Sequence, residues 1–205
     1  HVNWGACPLF INCTIVNNSG IEGGAIHSNF GGYFKMINSI VWGNSSPAIY
    51  DNGELREGTS NIYYSDIQEG QEGLSINGEA VLTWGDGNIT VDPLFVDSES
   101  DYTLQDGSHC IDTGTTDINS WDSYLDDITE FNGLAPDMGA LESSYTAVTG
   151  CTDPEALNYD EGEGAWIDDG SCVADPGYNG EEGWFVSTTG TLDEDGITDT
   201  GNGSE

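Results

Sequence analysis

Apolar residues in this chain of 205 residues come in short runs rather than in long periodic stretches. No segment repeats apolar residues with the 3.6-residue period of a long amphipathic helix. The short apolar runs are bounded instead by Gly, Asn, Asp and Ser, as at 11–20 and 37–46. Such a pattern is typical of many short strands joined by turns. It predicts an all-β protein.

Three segments of the first seventy residues align without gaps, each offset from the next by 26 residues. They are 11–18 (INCTIVNN), 37–44 (INSIVWGN) and 63–70 (YYSDIQEG). A fixed period of about 20 to 50 residues indicates a solenoid, in which each repeat stacks on its neighbours. A β-sandwich would acquire equal offsets only by accident. We therefore predict a parallel β-helix, with turns and short apolar steps at Gly23–Ile26 and Pro47–Tyr50.

Alternation within the three segments predicts which side chains face the interior. Side chains alternate between the two faces of a strand, and one of the two sets is more apolar. The set expected to stack inside the coil is Ile11, Cys13, Ile15, Ile37, Ser39, Val41, Tyr63, Ser65 and Ile67. Burying each Ile or Val contributes about 1.5–3 kcal/mol. In this arrangement Cys13 is a buried small residue rather than a reactive thiol.

Three motifs follow the repeats: GNITVDPLF at 87–95, DYTLQDGSHCIDTG at 101–114 and DMGALE at 137–142. In combination they resemble the closing repeats of right-handed parallel β-helix proteins of the choice-of-anchor class, which bacteria secrete and attach outside the cell. The resemblance covers roughly residues 10–142 and departs at His109, where the family usually has Pro. It implies a fold and an export route, but no particular activity. Residues 74–86 are interpreted as an insertion between repeats.

A second, smaller module follows, with GCTDPEALNYD at 150–160 and DDGSC at 168–172. It resembles a G-C-T-D…D-D-G-S-C module that is often repeated in large secreted proteins of marine bacteria. The resemblance implies a disulfide between Cys151 and Cys172, with free thiols as the alternative. The expected division of the chain is a β-helix with its cap at 1–145, the stapled module at 146–175, and an acidic Gly-rich tail or a further module at 176–205.

Charge limits the partners of the chain. Thirty-seven Asp and Glu stand against Lys35 and Arg56 alone, which gives a formal net charge of −35. Nucleic acid is excluded because phosphate contacts need Lys and Arg, and anionic membranes and glycans are disfavoured for the same reason. No apolar run is long enough for a membrane span. The chain begins at His1 without a Met or a leader, and is interpreted as a mature product or a fragment.

Catalysis finds little support in the sequence. Lyases of the β-helix fold use Lys or Arg as the base, and neither basic residue of this chain lies among clustered acids. Hydrolases of that fold use carboxylates on adjacent repeats, for which Asp51 with Asp66 and Asp92 with Asp112 are the candidate pairs. Among 37 acids such pairs arise by chance. His1, His27 and His109 show no spacing typical of metal ligands or of a catalytic triad. We therefore expect no enzyme activity.

Calcium is the candidate cofactor. Asp193, Asp195 and Asp199 form a D-x-D-G-x-x-D pattern, in which alternate carboxylates and a turn-forming Gly can surround a hard cation. The pattern lacks the complete loop of an EF-hand, and a solvated acidic tail is the alternative. Asp168 and Asp169 form a second candidate site, and the segment 97–101 forms a third and weaker one.

These observations favour a non-catalytic, extracellular or cell-surface module that serves an adhesive or filament-forming structure. Its expected partners are other extracellular proteins, including copies of itself. Trp42, Tyr64 and Trp84 are the candidate contact aromatics. The alternative is a carbohydrate-active β-helix protein that binds or hydrolyses a neutral glycan. Exposed aromatics beside carboxylates in a groove would favour that alternative.

Overall fold

The computed structural model describes residues 1–53, 58–159 and 164–174. Within them the chain is nearly all β, with one short 3-10 helix at Gly70–Gly73 and no α-helix. The strands are β1 (Leu9–Ile11), β2 (Thr14–Val16), β3 (Ile26–Ser28), β4 (Lys35–Ile37), β5 (Ile40–Trp42), β6 (Ile49–Asn52), β7 (Ser60–Tyr63), β8 (Asp66–Ile67), β9 (Leu74–Asn77), β10 (Leu82–Trp84), β11 (Phe95–Asp97), β12 (Asp101–Leu104), β13 (Thr149–Gly150) and β14 (Ile167–Asp168). No helix in this part of the chain is long and apolar enough to cross a membrane.

Three parallel sheets make up the repeat region. Their strand orders are β1-β4-β7-β10, β2-β5-β8 and β3-β6-β9. Successive strands therefore enter the three sheets in rotation, and each repeat contributes one strand to each sheet. We call β1–β3, β4–β6 and β7–β9 the first, second and third repeats. Parallel neighbours require long crossover connections, and the other two strands of each repeat supply them.

The strand register confirms the predicted 26-residue repeat. Leu9 pairs with Lys35 and Lys35 with Asn61, and in the second sheet Thr14 pairs with Ile40, all at an offset of 26 residues. The third sheet is less regular, because Ile26 pairs with Ile49. The interpretation of residues 74–86 as an insertion is wrong. Strands β9 and β10 lie within that segment and pair with β6 and β7.

Each of the three aligned segments is bent into two strands that belong to different sheets. The bend lies at a residue with left-handed backbone: Asn12 (φ 47°), Asn38 (φ 49°) and Tyr64 (φ 46°). A second left-handed corner recurs at the same interval at Asn17 (φ 57°), Gly43 (φ 66°) and Glu69 (φ 63°). Asn and Gly adopt this conformation at lower cost than other residues. The Asn-rich pattern of the sequence therefore marks the corners.

The corner shifts the alternation by one position, so one predicted column faces outward. The core contains Phe10, Met36 and Ile62, the middle residues of β1, β4 and β7. Their neighbours Ile11, Ile37 and Tyr63 consequently lie on the outer face, and their prediction as interior residues is wrong. After the corner the prediction is confirmed, because Ile15, Val41 and Ile67 pack in the core.

Small residues at the corner form a hydrogen-bonded ladder. The Ser39 hydroxyl accepts a hydrogen bond from the Cys13 amide at 3.1 Å, and the Ser65 hydroxyl accepts one from the Ser39 amide at 3.1 Å. The Asn88 side chain continues the ladder by accepting from the Ser65 amide at 3.0 Å. Cys13 itself is half-buried and lies at the open end of the ladder, and burial raises the pKa of its thiol.

A long C-terminal segment of this unit covers the outer faces of two sheets. Lys35 Nζ donates to the Trp121 carbonyl at 2.7 Å, and the Tyr63 and Trp121 rings lie 4.1 Å apart. Farther along, the Ala140 amide donates to Thr14 Oγ1 at 2.9 Å. This cover explains why several outward-facing residues are buried.

By contact clustering, the chain divides into one compact unit at His1–Ala147 and a second unit from Val148 onward. In the second unit β13 and β14 are parallel, with Thr149 opposite Ile167. The implied disulfide between Cys151 and Cys172 is present, with a Cα–Cα distance of 4.6 Å. The predicted tail at 176–205 lies outside the described residues. Cys7, Cys13 and Cys110 are free thiols.

Candidate functional site

Buried carboxylates at the end of the first unit bind backbone amides. Asp112 is 3 % exposed. Its Oδ1 accepts hydrogen bonds from the amides of Leu134 at 2.8 Å and Ala135 at 3.4 Å, and its Oδ2 accepts one from Ala147 at 2.8 Å. One side chain thus satisfies donors on two distant stretches of the C-terminal segment. This is the Asp of the motif HCIDTG.

The acids of the motif DMGALE act in the same way. Asp137 accepts from the amide of Asp112 at 2.9 Å and from that of Ser143 at 2.7 Å. Glu142 accepts from the amides of Asp137 at 3.0 Å and Asn132 at 3.2 Å, and burial raises its pKa. The two motifs are therefore joined by carboxylate–amide hydrogen bonds, which close loops that contain few strands.

Asp66 and Cys110 form a buried polar pair. Cys110 Sγ lies 3.3 Å from Asp66 Oδ2, and Oδ1 accepts from the Val91 amide at 3.3 Å. Burial raises the pKa of Asp66 to about 7 and also raises the pKa of the Cys110 thiol well above its usual value. The carboxyl of Asp66 thus carries a proton at mildly acidic pH. The pair lies under the C-terminal segment and is closed to solvent.

The two predicted carboxylate pairs do not form a shared catalytic site. Asp51 lies in β6 and accepts from the Ser60 hydroxyl at 2.8 Å, whereas Asp66 lies in β8, in a different sheet. Asp112 is surrounded by backbone donors, and Asp92 lies in the loop before β11. The histidines are closer than their spacing suggests: the rings of His1 and His27 lie 4.3 Å apart.

A surface pocket of about 610 Å³ lies where Trp42, at the end of β5, meets the hairpin β11–β12. Its lining includes Trp42, Asp92, Leu94, Val96, Asp97 and Gln105. Trp42 follows the buried Val41 in its strand, so its ring projects outward from the core. The pocket thus combines one aromatic ring, two carboxylates and an amide.

The hairpin wall of the pocket is held in place by hydrogen bonds. Asn17 Nδ2 donates to the Ser98 carbonyl at 2.6 Å, which links the corner of the first repeat to the hairpin. Gln105 Nε2 donates to the Phe95 carbonyl at 2.6 Å across the hairpin. Leu94 adopts a left-handed backbone with φ 53°, an uncommon conformation for a bulky residue.

Both acids of the pocket are oriented by their own turns. Asp92 Oδ1 accepts from the Leu94 amide at 2.9 Å. Asp97 accepts from the Glu99 amide at 2.9 Å and the Ser100 hydroxyl at 2.7 Å, and these hydrogen bonds lower its pKa. Asp97 therefore stays ionised over the physiological range and presents negative charge to the pocket.

The three candidate contact aromatics have different environments. Trp42 lines the pocket. Tyr64 occupies the left-handed corner of the third repeat, and its ring packs over Gly87. Trp84 ends β10 and packs partly against the core. The structure therefore brings only Trp42 together with other polar candidates.

The calcium candidates are partly described. Asp168 and Asp169 each accept a hydrogen bond within their own turn, from the amides of Gly170 at 2.9 Å and Ser171 at 2.8 Å, and the latter turn lowers the pKa of Asp169. The residues Asp193, Asp195 and Asp199 lie outside the described residues. In the part that the structure describes, no group of three or more His, Cys, Asp or Glu is arranged to hold a metal ion. Calcium binding stays a prediction.

Comparison with known proteins returns no relative. No protein family matches the chain, and neither the curated proteins nor the solved structures contain a match.

Proposed function

We propose that this chain is part of a secreted, non-catalytic structural or adhesive protein of the cell surface, whose first unit winds as a right-handed parallel β-helix. The rotation of successive strands through three parallel sheets supports the helical winding. The left-handed corners that recur every 26 residues support it as well. The disulfide between Cys151 and Cys172 supports secretion, because disulfides persist in oxidising compartments.

The observation that carries the non-catalytic role is the use of the buried acids. Asp66, Asp112 and Asp137 are 0 %, 3 % and 1 % exposed, and each accepts hydrogen bonds from groups of the protein itself. A catalytic carboxylate has to reach the substrate or a water molecule beside it. These side chains reach neither. Their role is to bind the C-terminal segment to the repeats.

The free edge of the first repeat supports assembly with a second copy. Strands β1 and β2 are the outermost members of their sheets, so one side of each lacks a strand partner within the described chain. Phe10 and Ile15 are only half-buried there, whereas their counterparts Met36 and Val41 in the second repeat are fully buried. A parallel coil from another copy would pair these backbone groups and cover the apolar column.

Sedimentation velocity on the full chain, in calcium and in EDTA, tests the assembly. We expect concentration-dependent association, and loss of association when Leu9→Lys places a charge on the edge strand β1. Equal sedimentation of both proteins as monomers at every concentration would contradict assembly through this edge. Comparison of the two buffers shows separately whether calcium contributes.

A reducing-end assay on neutral polysaccharides tests the absence of catalysis. We expect no release above buffer. Release that disappears in Asp66→Asn or Asp92→Asn would show that the chain is a hydrolase.

A further inference from the structure

We infer that the pocket between Trp42 and the hairpin β11–β12 binds a neutral sugar. This site goes beyond a structural role, because it supplies a specific ligand for a surface that otherwise only supports the fold. A volume of about 610 Å³ accommodates one or two pyranose rings. The inference rests on three features of the pocket: its aromatic ring, its fixed polar groups and its charge.

Trp42 provides a platform for the apolar face of a sugar ring. The indole follows the buried Val41 and is half-exposed at the pocket wall. A pyranose presents C–H groups on its faces and hydroxyls around its edge, so it stacks on an aromatic ring while its hydroxyls stay free to form hydrogen bonds. Leu94 and Val96 are exposed by 39 % and 53 % beside the ring and extend the apolar surface.

The polar groups of the pocket suit hydroxyl donors. Asp92 and Asp97 are acceptors held by their own turns, so they lose little side-chain entropy when a ligand binds. A carboxylate oxygen has capacity for more than one hydrogen bond, and each acid therefore accepts a sugar hydroxyl without releasing its turn amide. Gln105 completes the wall with an amide that is anchored to the Phe95 carbonyl.

The charge of the pocket selects a neutral sugar. Two carboxylates line it, and the acids Glu99 and Asp101 follow in the same hairpin. Of the two basic residues in the chain, Lys35 donates to the Trp121 carbonyl, and Arg56 lies outside the described residues. A uronic acid or a sulfated sugar would therefore meet like charge without a compensating cation.

The hairpin is built as a rigid wall. The link from Asn17 to Ser98 fixes its tip against the first repeat, and the left-handed Leu94 directs the preceding Asp92 toward the pocket. Strain of this kind persists where the surrounding structure determines it, and it is frequent at ligand sites. The site is thus formed before the ligand arrives, which lowers the cost of binding.

Isothermal titration calorimetry on the full chain tests the inference, with cellohexaose, xylohexaose, mannohexaose and hexagalacturonate as probes. EDTA is present so that no calcium ion can bridge the uronate to the carboxylates. We expect at least one neutral hexamer to bind and the uronate not to bind. Trp42→Ala should weaken that binding by about tenfold or more, whereas Trp42→Phe should retain most of it because the platform remains.

Trp4→Ala is the matched control, because Trp4 is 76 % exposed and lies outside the pocket lining. It should leave the affinity unchanged, and equal melting temperatures of the variants show that folding is intact. The double variant Asp92→Asn with Asp97→Asn keeps the size of both side chains but removes their charge. It should weaken neutral binding and relax the exclusion of the uronate.

Three results would overturn the inference. They are the absence of binding by all three neutral hexamers, equal losses in Trp42→Ala and Trp4→Ala, and uronate binding to the unaltered protein that equals or exceeds neutral binding.

Discussion

Asn38 and Thr115 are separated by 77 residues in sequence, yet they exchange two hydrogen bonds: Asn38 Nδ2 donates to the Thr115 carbonyl at 2.8 Å, and the Thr115 amide donates to Asn38 Oδ1 at 2.8 Å. Asn38 also adopts the left-handed backbone of its corner, with φ 49°. One residue thus turns the chain between two sheets and holds the segment that covers them.

Replacement of this residue separates its two roles. Asn38→Ala loses both hydrogen bonds and places a Cβ-bearing residue without a local polar side chain in left-handed backbone. We expect the free energy of unfolding to fall by about 2–4 kcal/mol, measured by urea denaturation. Asn38→Gly should recover the backbone part alone. Asn12→Ala, at the equivalent corner with φ 47°, is the control for the corner without this clamp. A glycine variant as stable as the original would show that the clamp contributes nothing.

The buried pair of Asp66 and Cys110 predicts a dependence of stability on pH. Burial raises the pKa of Asp66 from 3.8 to about 7, so the folded protein keeps a proton that the unfolded chain releases. The contribution is fully present below about pH 3.8 and is lost as the pH rises through about 7. Its size is on the order of 4 kcal/mol. The nearby Asp92 adds to the shift by repulsion.

Urea unfolding from about pH 4 to about pH 8 measures this contribution. The free energy of unfolding should decline more steeply in the unaltered protein than in Asp66→Asn, because the amide does not titrate. Glu142 shifts in the same direction and is present in both proteins. Identical pH profiles would show that Asp66 has an ordinary pKa in the folded state.

Asp112 predicts a stability loss that depends on acceptor capacity. Asp112→Asn keeps the shape of the side chain but replaces one acceptor oxygen with a donor, which then faces an amide of the C-terminal segment. The expected loss is about 1–3 kcal/mol, measured by urea denaturation. Hydrogen exchange at the amides of Leu134 and Ala147 should accelerate. Asp106→Asn, on the exposed surface, should change neither quantity, and equal effects of the two variants would contradict this role.

The corner ladder predicts different effects of two small substitutions at Ser39. Ser39→Ala removes the acceptor for the Cys13 amide and should cost about 1–2 kcal/mol of unfolding free energy. Ser39→Cys should cost less, because Cys13 occupies the equivalent place one repeat earlier and donates to the Ile11 carbonyl as Ser39 does to the Ile37 carbonyl. Thermal denaturation of both variants compares the two losses. The ladder is refuted if alanine is tolerated as well as cysteine.

The disulfide predicts how the second unit responds to reduction. The double variant Cys151→Ser with Cys172→Ser removes a link that closes a loop with a sequence separation of 21 residues, which the loop-entropy argument values at about 3 kcal/mol. Hydrogen exchange should accelerate at Leu157, whose amide donates to the Val173 carbonyl at 2.9 Å. Amides of the repeats, such as Val41, serve as the internal control. Unchanged exchange at Leu157 would contradict the stabilising role of the disulfide.

The candidate pocket was only partly predictable. Trp42 is recognisable in sequence as an aromatic at an outward strand position, and the acids around 92–101 are visible as a cluster. What joins them is the contact of the hairpin with the first repeat, from Asn17 to Ser98, across 81 residues. Nothing in the spacing of these residues specifies that contact, because side-chain hydrogen bonds between distant loops follow no period.

The sequence by itself determined the repeat. A 26-residue interval between similar short strands dictates parallel pairing of equivalent residues, and the observed register of β1, β4 and β7 follows it. Stacked strands satisfy their backbone groups only in one register, so periodicity alone was sufficient. Tertiary structure decided which residues face inward before the corner. The left-handed residues at 12, 38 and 64 shift the alternation, and the segment that ends near Glu142 buries the outer face where Ile37 and Asp66 lie. Burial depends on what covers a surface, and that cover comes from residues far away in sequence.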